Sequence, residues 1–207
     1  MKYVNKIPSE DGQRTDELVQ LGYKRLKEPK SVCAAIGFSL PLSILLMLIA
    51  VFWCYLLDPS LFDFMNKDGI SVEMIIDLTF IFYVAGTILC LLIHEFFHAT
   101  FIPGAFRSKK TYWGFNGVFG FVYTEEEITR GRFLLVSVMP LLLLSFVIPV
   151  ILSFVGIWNR YLIFLIVFNA GGACVDLLNM ILVTVQVPAG GTVVSNGYST
   201  FYRSASE

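Results

Sequence analysis

Residues 82–102 read FYVAGTILCLLIHEFFHATFI, an apolar run interrupted near its end by His94, Glu95 and His98. At 1.5 Å per residue, roughly 20 apolar residues span the hydrocarbon core of a bilayer. A helix of this composition therefore reads as membrane-spanning. Ionisable groups in such a helix are costly and mark function. The chain has only two histidines, four residues apart, with a glutamate directly after the first. Positions i and i+4 share a helix face, so both imidazoles can reach one Zn²⁺. The pattern His94-Glu95-Phe96-Phe97-His98 is the HExxH motif, in which the glutamate serves as general base. Two histidines on one face do not suit a bis-histidine haem, whose axial ligands approach from opposite sides of the ring.

The rest of the chain repeats the apolar theme. Of 207 residues, 56% are hydrophobic and 15% charged, a balance foreign to a soluble domain of this size. Four stretches are long enough to span a membrane: about 32–57, 74–102, 133–157 and 161–187. Pro41 and Pro140 stand near the starts of their stretches, and Pro149 lies where a kink is expected. The very short link Trp158-Asn159-Arg160 makes the last two an antiparallel hairpin. The expected fold is thus an all-α polytopic membrane protein with about four transmembrane helices and a small cytoplasmic β-hairpin.

Basic residues set the expected topology. Lys2, Lys6, Arg14, Lys24, Arg25, Lys27 and Lys30 crowd the first 30 residues. The 58–73 loop sets one lysine against Asp58, Asp63, Asp68 and Glu73. The 103–132 loop carries Arg107, Lys109, Lys110, Arg130 and Arg132. The order is inside, outside, inside, outside, inside, with both termini cytoplasmic at a cell membrane. Three parts follow: a cytoplasmic segment 1–30, partly helical around Glu17 to Lys27; a membrane core 31–187; and a cytoplasmic tail 188–207. The first 30 residues lack an apolar stretch and do not read as a cleaved signal peptide. A net charge of −1 gives no sign of a nucleic-acid partner.

The 103–132 loop holds Thr111 to Phe115, then Asn116-Gly117, then Val118 to Tyr123, which predicts a hairpin with an Asn-Gly turn. Its aromatic residues suit a membrane–water interface. Thr192 to Ser195, Asn196-Gly197 and Tyr198 to Tyr202 predict a second. Cys33, Cys54, Cys90 and Cys174 all fall in apolar runs without a CxxC pair and read as free packed thiols.

Catalytic zinc takes three protein ligands and a water. The best candidate for the third is Asp176, in Asn169-Ala-Gly-Gly-Ala-Cys-Val-Asp176-Leu-Leu-Asn179 of the fourth span. Counted at 1.5 Å per residue, His94 and Asp176 both lie to the cytoplasmic side of mid-span. The rival is the Glu125-Glu126-Glu127 run, which also reads as a solvated charge run. Cys90, one turn before His94, is poorly placed on one straight helix. Thr87 reads as a packing residue and Asp77 as interfacial. Gly171, Gly172 and Ala173 permit close helix approach. Asn179, one turn from Asp176, reads equally as a ligand-orienting residue or a bridge between helices.

HExxH in one span and an aspartate in a late span resemble the site-2-protease class of intramembrane metalloproteases. Over residues 20–205 the chain resembles more closely a small bacterial membrane family of zincin peptidases. The carriers are the HExxH helix, the glycine-rich segment ending in Asp176, and the tail Val187-Pro188…Gly197…Tyr202. The aspartate stands in Cys-Val-Asp-Leu-Leu rather than in the aspartate–glycine setting of site-2 proteases. The resemblance implies zinc on His94, His98 and Asp176 with Glu95 as base. The expected activity is hydrolysis of peptide bonds in membrane or membrane-proximal substrates by a zinc-activated water. The partners are a membrane protein or peptide substrate and the lipid bilayer. The alternatives are a non-catalytic zinc-binding scaffold, accessory or immunity protein, and a metal transporter.

Overall fold

The computed structural model describes residues 1–66, 78–115 and 120–205. All four apolar runs are helical in it. Helix α2, Val32–Leu57, starts where the Ser31 hydroxyl accepts from the Ala34 N–H at 3.2 Å, a side-chain N-cap. A 3₁₀ turn, Pro59–Asn66, follows it. Helix α3, Leu78–Phe101, carries the HExxH motif; the expected start at 74 and Asp77 lie outside the described residues.

The third run extends from Arg130 to Phe154 in three pieces: α4 (Arg130–Leu142), a π turn (Leu143–Val147) and α5 (Ile148–Phe154). The expected kink takes the form of this π turn. Pro149 lacks the N–H that a regular α turn would send back to the Ser145 carbonyl, and a wider turn accommodates the loss. The run ends short of the expected 157 because Gly156 has φ +72°, a left-handed stop that glycine adopts freely. The fourth run is interrupted as well. Helix α6, Arg160–Gly172, gives way at Ala173 to α7, Cys174–Gln186. Asp176 consequently stands in the first turn of a helix, where free N–H groups favour a carboxylate.

The four runs are long and apolar enough to cross a membrane. Their outward side chains match that: Phe38 is 70% exposed, Leu78 68% and Phe82 66%, a surface that water would not tolerate on a monomer. Inward, Leu46, Ala50, Cys54, Leu141, Ile166, Ala170 and Ala173 form the core between α2, α4 and α6–α7. Gly171 brings α2 close: a Cβ there would sit 2.9 Å from Met47 Cγ, and the Ser43 hydroxyl donates to its carbonyl at 3.0 Å. Nothing crowds Gly172, so only the first of the two glycines is needed for close approach. Helix α3 packs on α4 and α6, and α7 packs on α4 and α2.

The β structure exceeds the expected hairpin. One sheet has the order β1–β3–β4, from Lys2–Tyr3, Thr111–Phe115 and Gly120–Thr124. The hairpin pairs Trp113 with Val122 and Phe115 with Gly120; its Asn-Gly turn lies outside the described residues. The other sheet has the order β2–β7–β6–β5, from Lys24–Arg25, Ser199–Arg203, Thr192–Asn196 and Ile128–Thr129. The chain's two end segments thus share one sheet with the middle loop. The second hairpin is offset by one residue from the expected turn. Asn196 pairs with Ser199, and Gly197 (φ +61°) and Tyr198 form the turn, as in a type II′ turn with glycine first. Asn196 is drawn into the strand because its amide binds the N-terminal segment, accepting from the Asp11 N–H at 3.1 Å and donating to the Asp11 carbonyl at 2.8 Å.

The helix expected around Glu17 to Lys27 instead covers Gly12–Gln20 (α1), capped by the Asp11 carboxylate. Gly22, at φ +84°, ends it and leaves Lys24–Arg25 free to pair with β7. Connectivity places both sheets at one end of the helices: they join the start of α2, the end of α3, the start of α4 and the end of α7.

Candidate metal centre

His94 and His98 point from one face of α3 toward α4 and α7, and both are buried, at 8% and 9% exposure. Their rings stand 5.0 Å apart at 74°. From α7, Asp176 places Oδ2 3.2 Å from His94 Nε2 and 3.4 Å from His98 Nε2. Among the described residues these three are the group of potential metal ligands, one atom from each lying within 4.8 Å of the others. Two ligand atoms held at about 2.0–2.1 Å from one tetrahedral Zn²⁺ lie roughly 3.3–3.4 Å apart. The two separations from Asp176 match that figure.

Hydrogen bonding on the far side of each ring supports the same geometry. His98 Nδ1 lies 2.9 Å from the Val136 carbonyl. A carbonyl only accepts, so Nδ1 carries a proton, and in the neutral imidazole Nε2 turns a lone pair toward Asp176. His94 Nδ1 lies 2.8 Å from Asn169 Oδ1. With the carboxylate, three electron-rich atoms face one another in a poorly solvated place. Such an arrangement is repulsive until a cation or protons enter it. A divalent metal with a preference for nitrogen and oxygen ligands suits this donor set.

Glu95, half-buried, follows His94 on α3, within electrostatic range of both histidines and of Asp176. Strand β4 runs beside it. A Cβ on Gly120 would come 3.2 Å from Glu95 Cγ, and the Val122 backbone N–H is directed at the Glu95 carboxylate. The register explains that direction. The Val4 N–H donates to the Trp113 carbonyl at 3.0 Å, so Trp113 turns its backbone toward β1. The Trp113–Val122 pair is then the non-hydrogen-bonded kind, and the Val122 backbone groups face outward. Tyr123 next to it tethers the hairpin to the other sheet, its phenol oxygen accepting from the Gly197 N–H at 2.7 Å. Burial, and then the nearby Glu125 carboxylate, push this phenol well above its ordinary pKa.

The rival acidic run is engaged elsewhere. Glu126 accepts from Ser108 at 2.6 Å, Glu127 faces Arg203 at 3.6 Å, and Glu125 meets the Tyr123 hydroxyl at 3.5 Å. Thr87 bonds the Tyr83 carbonyl at 2.9 Å and packs, as expected. Cys90 stays outside the group of ligands. Asn179 bonds to none of the three ligands; the amide that does is Asn169, seven residues before Asp176 and on α6. The sequence held one signal for it, an amide in an apolar helix at a spacing of seven, which returns a residue to nearly the same face.

No curated protein and no solved structure matches the chain. A family model described as "Putative zincin peptidase" matches residues 87–191, just over half of the chain and a stretch that includes the histidines, Glu95, the hairpin and Asp176. The chain belongs to that family.

Proposed function

We propose that the protein is a membrane-embedded zinc metallopeptidase that cuts membrane or membrane-proximal peptides, with both chain ends and both sheets on the cytoplasmic side. The observation that carries this reading is the convergence of His94, His98 and Asp176, with one ligand atom of each within 4.8 Å of the others, beside a glutamate and the outer strand β4. The family supports the class of chemistry. The four apolar runs support the membrane setting, and the shared sheet of the two chain ends supports a common side for them.

His94 Nε2, His98 Nε2 and Asp176 would hold the metal. When bound, zinc supplies a Lewis acid that polarises a substrate carbonyl and lowers the pKa of water. Glu95 takes a proton from the attacking water and later returns it to the leaving amine. The imidazole protons on Nδ1 stay with Val136 and Asn169, which keeps both rings oriented through the cycle. Asp176, with its side chain 26% exposed, is the most accessible of the three ligands, and water would reach the centre from its side. A helical substrate hides its peptide bonds, so the substrate binds extended. The outward backbone groups of β4 offer it a strand edge, in line with Glu95.

The test is Glu95→Gln in the full-length protein. Zinc content is expected to stay at the wild-type level, while cleavage of a transmembrane substrate falls by roughly 10²–10⁴. Unchanged cleavage by a zinc-loaded variant would remove the glutamate from the mechanism. A variant that keeps both zinc and phenotype would instead indicate a scaffold.

A further inference from the structure

The strongest unassigned feature of the helical core is a chain of hydrogen bonds that begins behind His94. Asn169 on α6, 3% exposed, places Oδ1 2.8 Å from His94 Nδ1. Its Nδ2 donates to Ser145 Oγ at 2.8 Å and to the Pro140 carbonyl at 3.4 Å. Ser145, fully buried, donates its own proton to the Ile166 carbonyl at 2.9 Å.

The polarity of this chain is determined from its far end. The Ile166 carbonyl can only accept, so the Ser145 proton is committed to it. Ser145 then offers a lone pair, which must face the NH₂ side of Asn169. The Pro140 carbonyl, also only an acceptor, fixes that side independently. Asn169 Oδ1 is left for His94, so Nδ1 carries a ring proton, and in the neutral imidazole that a metal requires Nε2 is the lone pair facing Asp176. Free imidazole mostly prefers the opposite tautomer, with its proton on Nε2, and that proton would occupy the position of a metal. The π turn belongs to the same device, since Ser145 stands within Leu143–Val147, in the turn that Pro149 prevents from closing as a regular α turn.

We propose that Asn169, held by Ser145 in the π turn, is the positioning residue that fixes His94 with its Nδ1 proton toward α6 and its Nε2 lone pair toward Asp176. The proposal rests on the metal reading above and adds to it a residue outside the HExxH motif. A metal-ligating histidine depends on the partner of its other nitrogen. His98 relies on a backbone carbonyl, which no substitution removes; His94 relies on a side chain, which can be changed.

The test uses the full-length protein, purified and stripped of metal, with Zn²⁺ titrated against a competing chelator and Co²⁺ as the spectroscopic probe. Asn169→Leu keeps the branched shape and removes the acceptor; its zinc affinity is expected to fall about 10–100-fold, and its Co²⁺ spectrum to change in band position or intensity. Asn169→Asp keeps an acceptor for Nδ1–H and is expected to recover affinity to within a few-fold of wild type. Ser145→Ala, which loosens the amide without removing it, is expected to fall between the two. A purely structural amide would give a different result: Asn169→Leu would lower the melting temperature of the metal-free protein yet bind zinc like wild type. That outcome, or an Asn169→Asp variant as weak as Asn169→Leu, overturns the proposal. If Asn169→Leu does not fold, Asn169→Asp and Ser145→Ala decide it: an affinity loss in Asp equal to or greater than that in Ala overturns it. A wild-type protein that binds no zinc overturns the metal reading itself, which separates the two failures.

Discussion

Two polar clusters in this protein each join segments far apart in the sequence, and they differ in how donors and acceptors balance. In the terminal cluster Arg25 donates to both oxygens of Glu10, at 3.2 and 2.8 Å, and to Ser199. Ser199 and Thr15 also donate to Glu10, at 2.6 and 3.0 Å. Thr200 gives its N–H and its hydroxyl to the two oxygens of Glu28, at 2.6 and 2.9 Å. Every acceptor there has a protein donor, so the cluster is complete and its work is to hold the N-terminal segment to the tail. In the helical cluster the neutral imidazoles of His94 and His98 and the Asp176 carboxylate set three acceptors toward one point, and the ring N–H groups are directed away, to Asn169 and Val136. Satisfied networks rigidify a structure; an excess of inward acceptors indicates a cation site. Burial alone would not have separated the two, because both contain buried polar groups.

Asp176→Ala tests the contrast most severely. It is expected to lower zinc affinity at least about 100-fold, more than the loss of a ligand-orienting partner, as read by metal analysis after dialysis. Arg25→Ala in the other cluster is expected to leave zinc content unchanged. If both variants lost metal equally, the two clusters would not be functionally distinct. Chelation comes next. Removing zinc is expected to lower the melting temperature of the wild type, since a ligand at 100 times its Kd stabilises by about 2.7 kcal/mol. Asp176→Ala should show no chelator-dependent shift, while Arg25→Ala should keep it.

Smaller effects follow in the terminal cluster. Arg25 is 56% exposed at its side chain and Glu10 31%, so solvent screening limits the pair. Arg25→Ala is expected to cost roughly 0.5–1 kcal/mol in denaturant unfolding. The smallest effect is in pH. Burial raises the pKa of Glu28, so the folded state holds that proton more tightly than the unfolded state. Its contribution is most favourable below the ordinary carboxylate range and is lost as pH rises through the raised value. The hydrogen bond from Ser199 leads the lowering of Glu10, which works in the opposite sense: its contribution is present above the ordinary value and lost as pH falls. Glu28→Gln should therefore remove the decline of stability on the alkaline side of the carboxylate range, read by hydrogen exchange at the Thr200 amide. An unchanged pH profile would show that Glu28 does not titrate differently on folding.

Much of the site could be read from the chain because its chemistry is rare there. Two histidines at helical spacing and one aspartate in an apolar run leave few other ligand sets, and Asp176 does meet both imidazoles. The four apolar runs were equally legible, because the length that spans a bilayer is a property of consecutive residues. The departures arose where the deciding contact is remote. Gly22 ends the first helix early, and its following residues become a strand only because β7 lies beside them. Asn196 leaves its expected turn because Asp11 and Thr15 take its amide. Asn169 rather than Asn179 backs a histidine because α6 is the helix that passes behind His94.

The sequence by itself determined which residue types could bind a metal and which segments are apolar enough to cross a membrane, since composition and local spacing carry both. Only the tertiary structure decided which lone pairs face one another, which amide orients a ring, and that the two chain ends share a sheet. Those outcomes depend on contacts between residues 75 to 189 positions apart, and no local pattern encodes the direction of a hydrogen bond made across such a distance.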